Sequence, residues 1–282
     1  MFEDILGHEK TKHQLKSDFE QDQVSHAYLF LGIEGIGKKG IAIDFAKALL
    51  NTNNLETCVD YKYIEKQPDK KEILVEQVRS KIVNDVYVAP ATGKYKVYVI
   101  NDAHLLNIAA QNALLKTLEE PPKHVVIILV TNNEKALLTT VLSRVKKVKF
   151  NRLSDGEIES LLKAKYNIVL SEDKLNYADG SLKVAIDFAN TEDNKYVKIE
   201  QLYSCYKNKD MLNAIKNIEQ VNFKDEETFN YLGYLFMQDK YYNKIPIVEK
   251  ARNRMKQNAS EDIVKQSLNI HIMKEMDKEG GR

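Results

Sequence analysis

At 282 residues the chain is too long for one ordinary compact domain, and two or three are expected. Hydrophobic residues make up 43%, enough for real cores, while 42 basic and 41 acidic residues nearly cancel, which excludes a dedicated DNA-coating protein with its basic excess. Two distant cysteines, Cys58 and Cys205, exclude a disulfide framework and cannot build a structural zinc site without borrowed ligands.

The first seven residues lack a basic region followed by an apolar core, and no apolar stretch approaches membrane-spanning length. A reducing, cytoplasmic setting away from the membrane is the expectation. The first strand signal is Ala27–Leu31, an apolar, aromatic-rich run of buried-strand length. It leads into Gly32-Ile33-Glu34-Gly35-Ile36-Gly37-Lys38-Lys39, after which Ile41, Phe45, Ala46, Leu49 and Leu50 recur at helical spacing. Strand, glycine loop and helix form the setting in which G-x-x-x-x-G-K followed by Ser or Thr cradles phosphates. Gly32, Gly37 and Lys38 fit that pattern, and Gly35 adds backbone freedom.

Lys39 stands where the magnesium-binding hydroxyl belongs. An ammonium has three donors and no lone pair. Two unit charges about 4 Å apart interact by roughly 4 kcal/mol near a surface, and a divalent ion doubles the penalty. Two readings stand at this point: a loop that binds ATP or ADP phosphates while hydrolysing nothing, or a glycine-rich turn that binds nothing. Under both, Mg²⁺ is not expected, and no metal site is read elsewhere.

Residues 51–71 are polar and irregular, an excursion from the core. A helix over residues 73–83 and a turn at Pro90 and Gly93 precede the strand Lys96–Ile100, which ends in Asn101-Asp102. A P-loop ATPase needs one carboxylate here for the metal shell and a second to polarise the attacking water. Asn101 is a neutral amide, and Asp102 is one methylene shorter than the usual Glu. Three positions serving one metal and one water have therefore all changed. A helix over residues 107–119, the strand Val125–Thr131, a helix over 134–142 and a strand over 145–150 complete an α/β alternation, which implies a parallel sheet with helices on both faces.

From Leu153 onward strand signals stop. Ser154 three positions before Glu157 is a capping-box start, short helices follow over residues 173–178 and 181–189, and Gly180 breaks between them. Beyond Asn194, Leu202, Tyr206, Leu212, Ile215, Ile218, Tyr231, Leu232, Leu235 and Phe236 suit amphipathic helices.

Leu114-Leu115-Lys116-Thr117-Leu118-Glu119-Glu120-Pro121-Pro122, after a Walker B-type strand, resembles the sliding-clamp loaders of the AAA+ superfamily. Leu142-Ser143-Arg144-Val145 resembles their Ser-Arg-Cys motif, with Val145 where cysteine is usual. Asn132 matches the sensor-1 position, and Gly180-Ser181-Leu182-Lys183 resembles the sensor-2 motif with Lys183 replacing arginine. Ser25-His26-Ala27-Tyr28-Leu29-Phe30 resembles the opening typical of delta-prime subunits of the bacterial DNA polymerase III clamp loader. The resemblance covers Met1 to about Ala189; the remainder matches only in length and helical character.

The resemblance implies an AAA+ P-loop core over residues 1–152, a small helical lid over 153–192 and an all-α collar for oligomerisation over 193–282. It also implies that Arg144 is an arginine finger reaching the γ-phosphate bound by a neighbour. The implied partners are gamma/tau and delta subunits, and indirectly the sliding clamp and primed DNA in replication. A finger beside a P-loop without its magnesium ligands is the delta-prime combination, so no activity alone is expected of this component of the polymerase holoenzyme. The four-cysteine zinc module that many relatives insert after the P-loop helix is absent or degenerate, since residues 51–71 hold only Cys58. The alternatives are an active motor-type, gamma/tau-like ATPase and a stand-alone P-loop nucleotide kinase, for which no acceptor-substrate site is visible.

Overall fold

Short apolar runs pair side by side as parallel strands, each returned to the sheet by a helical crossover. In the computed structural model, which describes residues 1–2, 5, 7–189 and 194–278, the order is α1 (Glu9–Glu20), β1 (Ala27–Leu31), α2 (Lys38–Leu50), β2 (Tyr61–Ile64) and α3 (Val75–Val78), which continues as a π-helical turn over Arg79–Val83. Then come β3 (Lys96–Ile100), α4 (Ile108–Glu119), β4 (Val125–Thr131), α5 (Thr139–Leu142), β5 (Lys146–Lys149) and α6 (Asp155–Tyr166). The strands lie in the order β2-β3-β4-β1-β5, all parallel, with Leu29 opposite Leu129 and Val99 opposite Ile128. Strand β1, which feeds the glycine loop, thus sits between β4 and β5.

A parallel sheet is covered on both faces, so its central strands are apolar throughout rather than alternating. Tyr28, Phe30, Val97, Val99, Val126, Ile128 and Val130 point to one face, packed with Leu15 of α1 and Ile41, Phe45 and Leu49 of α2. Ala27, Leu29, Tyr98, Ile100, Ile127 and Leu129 point to the other, packed with Val78, Ile82 and Leu114. The α/β class predicted from the alternation is the one found.

Two local expectations need correction, and one helix adds to the elements read from the sequence. Residues 51–71 contain β2, an edge strand too short to show periodicity, in which Tyr61 and Tyr63 are only half-buried. Helix α1 precedes every element read from the sequence; its apolar stripe is thin, with Thr11, Leu15 and Asp18 as its buried positions. The expected helix over residues 134–142 is a 3₁₀ turn, Glu134–Ala136, followed by extended Leu137 and Leu138 and then the single turn of α5. The side chain of Gln111 on α4 enforces that break: its Oε1 accepts from Leu138 N at 2.7 Å and its Nε2 donates to Ala136 O at 3.1 Å. Backbone groups captured by a side chain from another element are unavailable to a helix.

The described chain forms two compact units, Met1–Val169 with Ala178–Val184, and Leu170–Tyr177 with Ala185–Arg282. Helices α7 (Glu172–Ala178) and α8 (Leu182–Ala189) supply residues to both units. The second unit is otherwise built from α9 (Lys195–Lys207), α10 (Met211–Gln220), α11 (Glu226–Gln238), α12 (Ile245–Lys256) and α13 (Glu261–Lys278). Asn194, Asp210 and Asp225 cap α9, α10 and α11 through their side chains. Its core is aromatic: Phe188 stacks on Tyr196 at 4.0 Å between ring centroids, and Tyr231 meets both edge-on. Leu202, Tyr206, Ile218, Tyr231, Leu232 and Phe236 are buried as their spacing predicts, whereas Leu212 and Ile215 are exposed. The expected boundary between lid and collar, at 192/193, falls within residues 190–193, outside the described residues. Among the described residues no helix is long and apolar enough to cross a membrane.

Candidate nucleotide-binding site

The loop between β1 and α2 is shaped by two backbone positions that only glycine adopts freely. Gly35 has φ +78° and Gly37 has φ +95°, and Gly37 is the residue from which α2 starts. The first amides of a helix have no partner within it and point off its end, so those following Gly37 face outward as an anion cradle. Space around Gly37 is open, whereas a β-carbon at Gly35 would strike Ser181 Oγ and come within 2.5 Å of Lys183 Cβ. Backbone geometry at this loop therefore fits phosphate oxygens.

Lys38 is buried as a residue, and its ammonium folds back on the loop, donating to Gly32 O at 2.8 Å and Ile33 O at 2.5 Å. Burial pulls its pKa down, opposed by the charges of Asp102 and Glu34. Lys38, Asp102 and Glu34 thus form one electrostatic group. Asp102 has φ +51°, and its Oδ2 accepts from Asn101 Nδ2 at 2.9 Å. The side chains of the two residues at the end of β3 are thus hydrogen-bonded to each other.

The segment read as sensor 2 closes on the same loop. Ser181 Oγ donates to Glu34 O at 3.1 Å, Lys183 N donates to Gly35 O at 3.0 Å, and Lys183 Nζ pairs with Glu34 Oε1 at 2.7 Å. The ammonium of Lys183 holds the Glu34 carboxyl below its ordinary pKa against the opposing effect of burial. From the other side, His8 Nε2 lies 2.6 Å from Ile36 O. Burial lowers the pKa of His8, countered by that carbonyl and by Glu157.

Magnesium fits less well than phosphate. Lys39 turns away to the edge strand, with its Nζ 3.8 Å from Glu65 Oε2 and 4.9 Å from the centre of the Tyr63 ring. Neither Lys39 nor the amide of Asn101 supplies an anionic ligand, and among the described residues no three His, Cys, Asp or Glu converge as a metal cluster.

The remaining predicted residues lie apart from the loop. Asn132 is exposed, while its neighbour Thr131 is the buried polar group at the end of β4, with Oγ1 3.4 Å from His104 Nδ1 and donating to Asn133 O at 3.2 Å. Arg144 follows α5, and its partners are Thr140 O at 2.7 Å, Ser143 Oγ at 3.0 Å and Glu119 Oε1 at 2.8 Å. None of these belongs to the phosphate loop. The sequence reading assigned no role to Glu34, His104, Thr131, Ser181 or Glu119. Glu34, Ser181 and Glu119 lie within the glycine loop, the string over residues 180–183 and the string over residues 114–122, but only contact geometry separates them from their neighbours.

Residues 7–154 match the protein family described as DNA polymerase III, delta subunit. The tau subunit of DNA polymerase III from Bacillus subtilis (strain 168) is 33% identical over 202 residues, covering 67% of this chain and 35% of that protein. The gamma subunit from Buchnera aphidicola subsp. Schizaphis graminum is 30% identical over 205 residues, covering 67% of this chain and 54% of that one. The chain thus spans about a third to a half of the length of these curated relatives. Among solved structures, a DNA polymerase III gamma subunit-related protein from Thermotoga maritima superposes with a TM-score of 0.65 at 16% identity, over 93% of this chain and 99% of that chain, a likeness of fold. The chain belongs to the DNA polymerase III delta subunit family.

Proposed function

We propose that the chain is the delta-prime-type subunit of a DNA polymerase III clamp loader, hydrolyses no ATP itself, and lends Arg144 to the nucleotide site of a neighbouring motor subunit. In this reading residues 153–192 form a lid, residues 193–282 form the collar that joins the ring of subunits, and the complex loads the sliding clamp onto primed DNA. The observation that carries it is the state of the metal and water positions. Lys39 is engaged with Glu65 and Tyr63, and Asn101 is bonded to Asp102. The loop retains a cradle for ATP or ADP phosphates but lacks the ligands that would hold Mg²⁺ beside them. Arg144, by contrast, keeps its planar fork at the surface, about one-third exposed.

The test is ATP turnover by the purified chain, alone and assembled with motor subunits. Alone, it should stay at background with or without primed DNA. In the complex, Arg144→Ala should leave assembly intact and cut turnover at the served site by on the order of 10³-fold or more, the usual worth of such a finger. Arg144→Lys should rescue poorly, because one ammonium cannot reproduce two parallel N–H donors. Unchanged ATPase and loading rates for Arg144→Ala would remove the finger.

A second reading, an active motor-type subunit, is favoured by the 33% identity to a tau subunit. Metal-dependent turnover by the isolated chain, abolished by Lys38→Ala, would decide for it.

A further inference from the structure

Arg144 stands two residues beyond α5, a single helical turn whose own backbone gives a long side chain little direction. Two of its contacts come from that same turn, Thr140 O and Ser143 Oγ, both taken by Nη1. The third comes from elsewhere: Nη2 pairs with Oε1 of Glu119, twenty-five positions earlier, at 2.8 Å. Glu119 is the last residue of α4, a three-turn helix anchored in the sheet core by Ala110, Leu114 and Leu118. The backbone of Glu119 is therefore carried by a helix that the core holds in place. Both side chains are substantially exposed, 32% for Arg144 and 49% for Glu119, and a pair this wet contributes little to stability. A guanidinium has five donors; three are engaged here, and two remain for a phosphate.

We propose that Glu119 is the positioning residue of the Arg144 finger, holding the guanidinium so that its free donors face the neighbouring subunit. This rests on the role given to Arg144 above. Glu119 touches no nucleotide itself and acts only through the arginine. Its carboxylate aligns the fork before the phosphate arrives, so the ordering of a flexible side chain is not left to the transition state.

The test uses the assembled complex with four forms of this chain: Glu119→Ala, Glu119→Gln, Arg144→Ala and the Glu119→Ala/Arg144→Ala double variant, each checked for assembly by gel filtration. Glu119→Ala should lower kcat at the served site by up to about 10²-fold with KM for ATP unchanged, the scale of a reacting group misplaced by about 1 Å. Glu119→Gln should recover part of the rate, since its amide oxygen can still accept at the same length. The double variant should be no slower than Arg144→Ala alone. If Arg144→Ala is slow while Glu119→Ala is unchanged or faster, the inference is overturned and the finger reading survives; a faster enzyme would mean that Glu119 parks the arginine. A double variant slower than Arg144→Ala also overturns it, because Glu119 would then act on something else. Normal turnover in Arg144→Ala would overturn both readings together.

Discussion

The half-buried imidazole of His8 couples the start of α1 to the phosphate loop through Ile36 O. Its pKa in the folded chain lies below the ordinary histidine value, chiefly because burial disfavours the cation. The unfolded chain therefore binds more protons near that value, so stability is full above about pH 6.5 and falls as pH drops through the folded pKa. Melting temperature should decline from pH 7 toward pH 5.5, and His8→Gln should flatten that slope; an unchanged slope would show that His8 does not carry it. At Gly35 the backbone is left-handed and the space is filled by Ser181 and Lys183. Gly35→Ala should cost at least about 1–2 kcal/mol in denaturant unfolding, the left-handed penalty, before any clash is added. Gly37 has the same backbone sign with open space around it, so Gly37→Ala should cost the backbone penalty alone.

At the scale of elements, Gln111 decides how the segment after β4 runs. It is almost fully buried and meets Leu106 O, Ala136 O and Leu138 N, all backbone groups outside α4. Gln111→Leu would keep the volume and strand these three groups. It should destabilise the chain by about 1–3 kcal/mol. It should also disturb the turn carrying Arg144, visible as altered protease sensitivity near α5; wild-type stability for Gln111→Leu would refute this account of the break. The capping box of α6 is a smaller test, since Ser154 N donates to Glu157 Oε2 at 2.8 Å and Ser154 Oγ accepts from Glu157 N. Ser154→Ala should cost about 1 kcal/mol.

For the molecule as a whole, the collar assignment predicts what a truncation does. Removing the chain from Asn194 onward should leave a P-loop part that folds, because the sheet and both of its faces are complete by β5. It should lose assembly with partner subunits, read by co-purification. The cut also strips Tyr196 and Tyr231 from Phe188 and Tyr177, so the truncated chain should expose aromatic surface and bind a hydrophobic dye. Normal co-assembly of the truncated chain would dismiss the collar. Exposed Leu212 and Ile215 on α10 are apolar positions of the kind such a collar would cover.

Local pattern was sufficient for the P-loop element itself: an apolar run, three glycines at fixed spacing and a helical stripe dictate strand, turn and helix within about twenty-five residues. The same local chemistry makes Lys39 unable to ligate a metal wherever its side chain goes. Strand β2 and helix α1 were not legible, because an edge strand of four residues and a helix with a thin buried stripe show too little periodicity. The destination of Lys39 on Glu65 and Tyr63, the clasp of Ser181 and Lys183 on Glu34 and Gly35, and the pairing of Glu119 with Arg144 were decided only in three dimensions. Each joins residues about 25 to 150 positions apart. A side chain's partner depends on which elements the sheet brings together, and that is set by the packing of two apolar faces rather than by the neighbours in sequence.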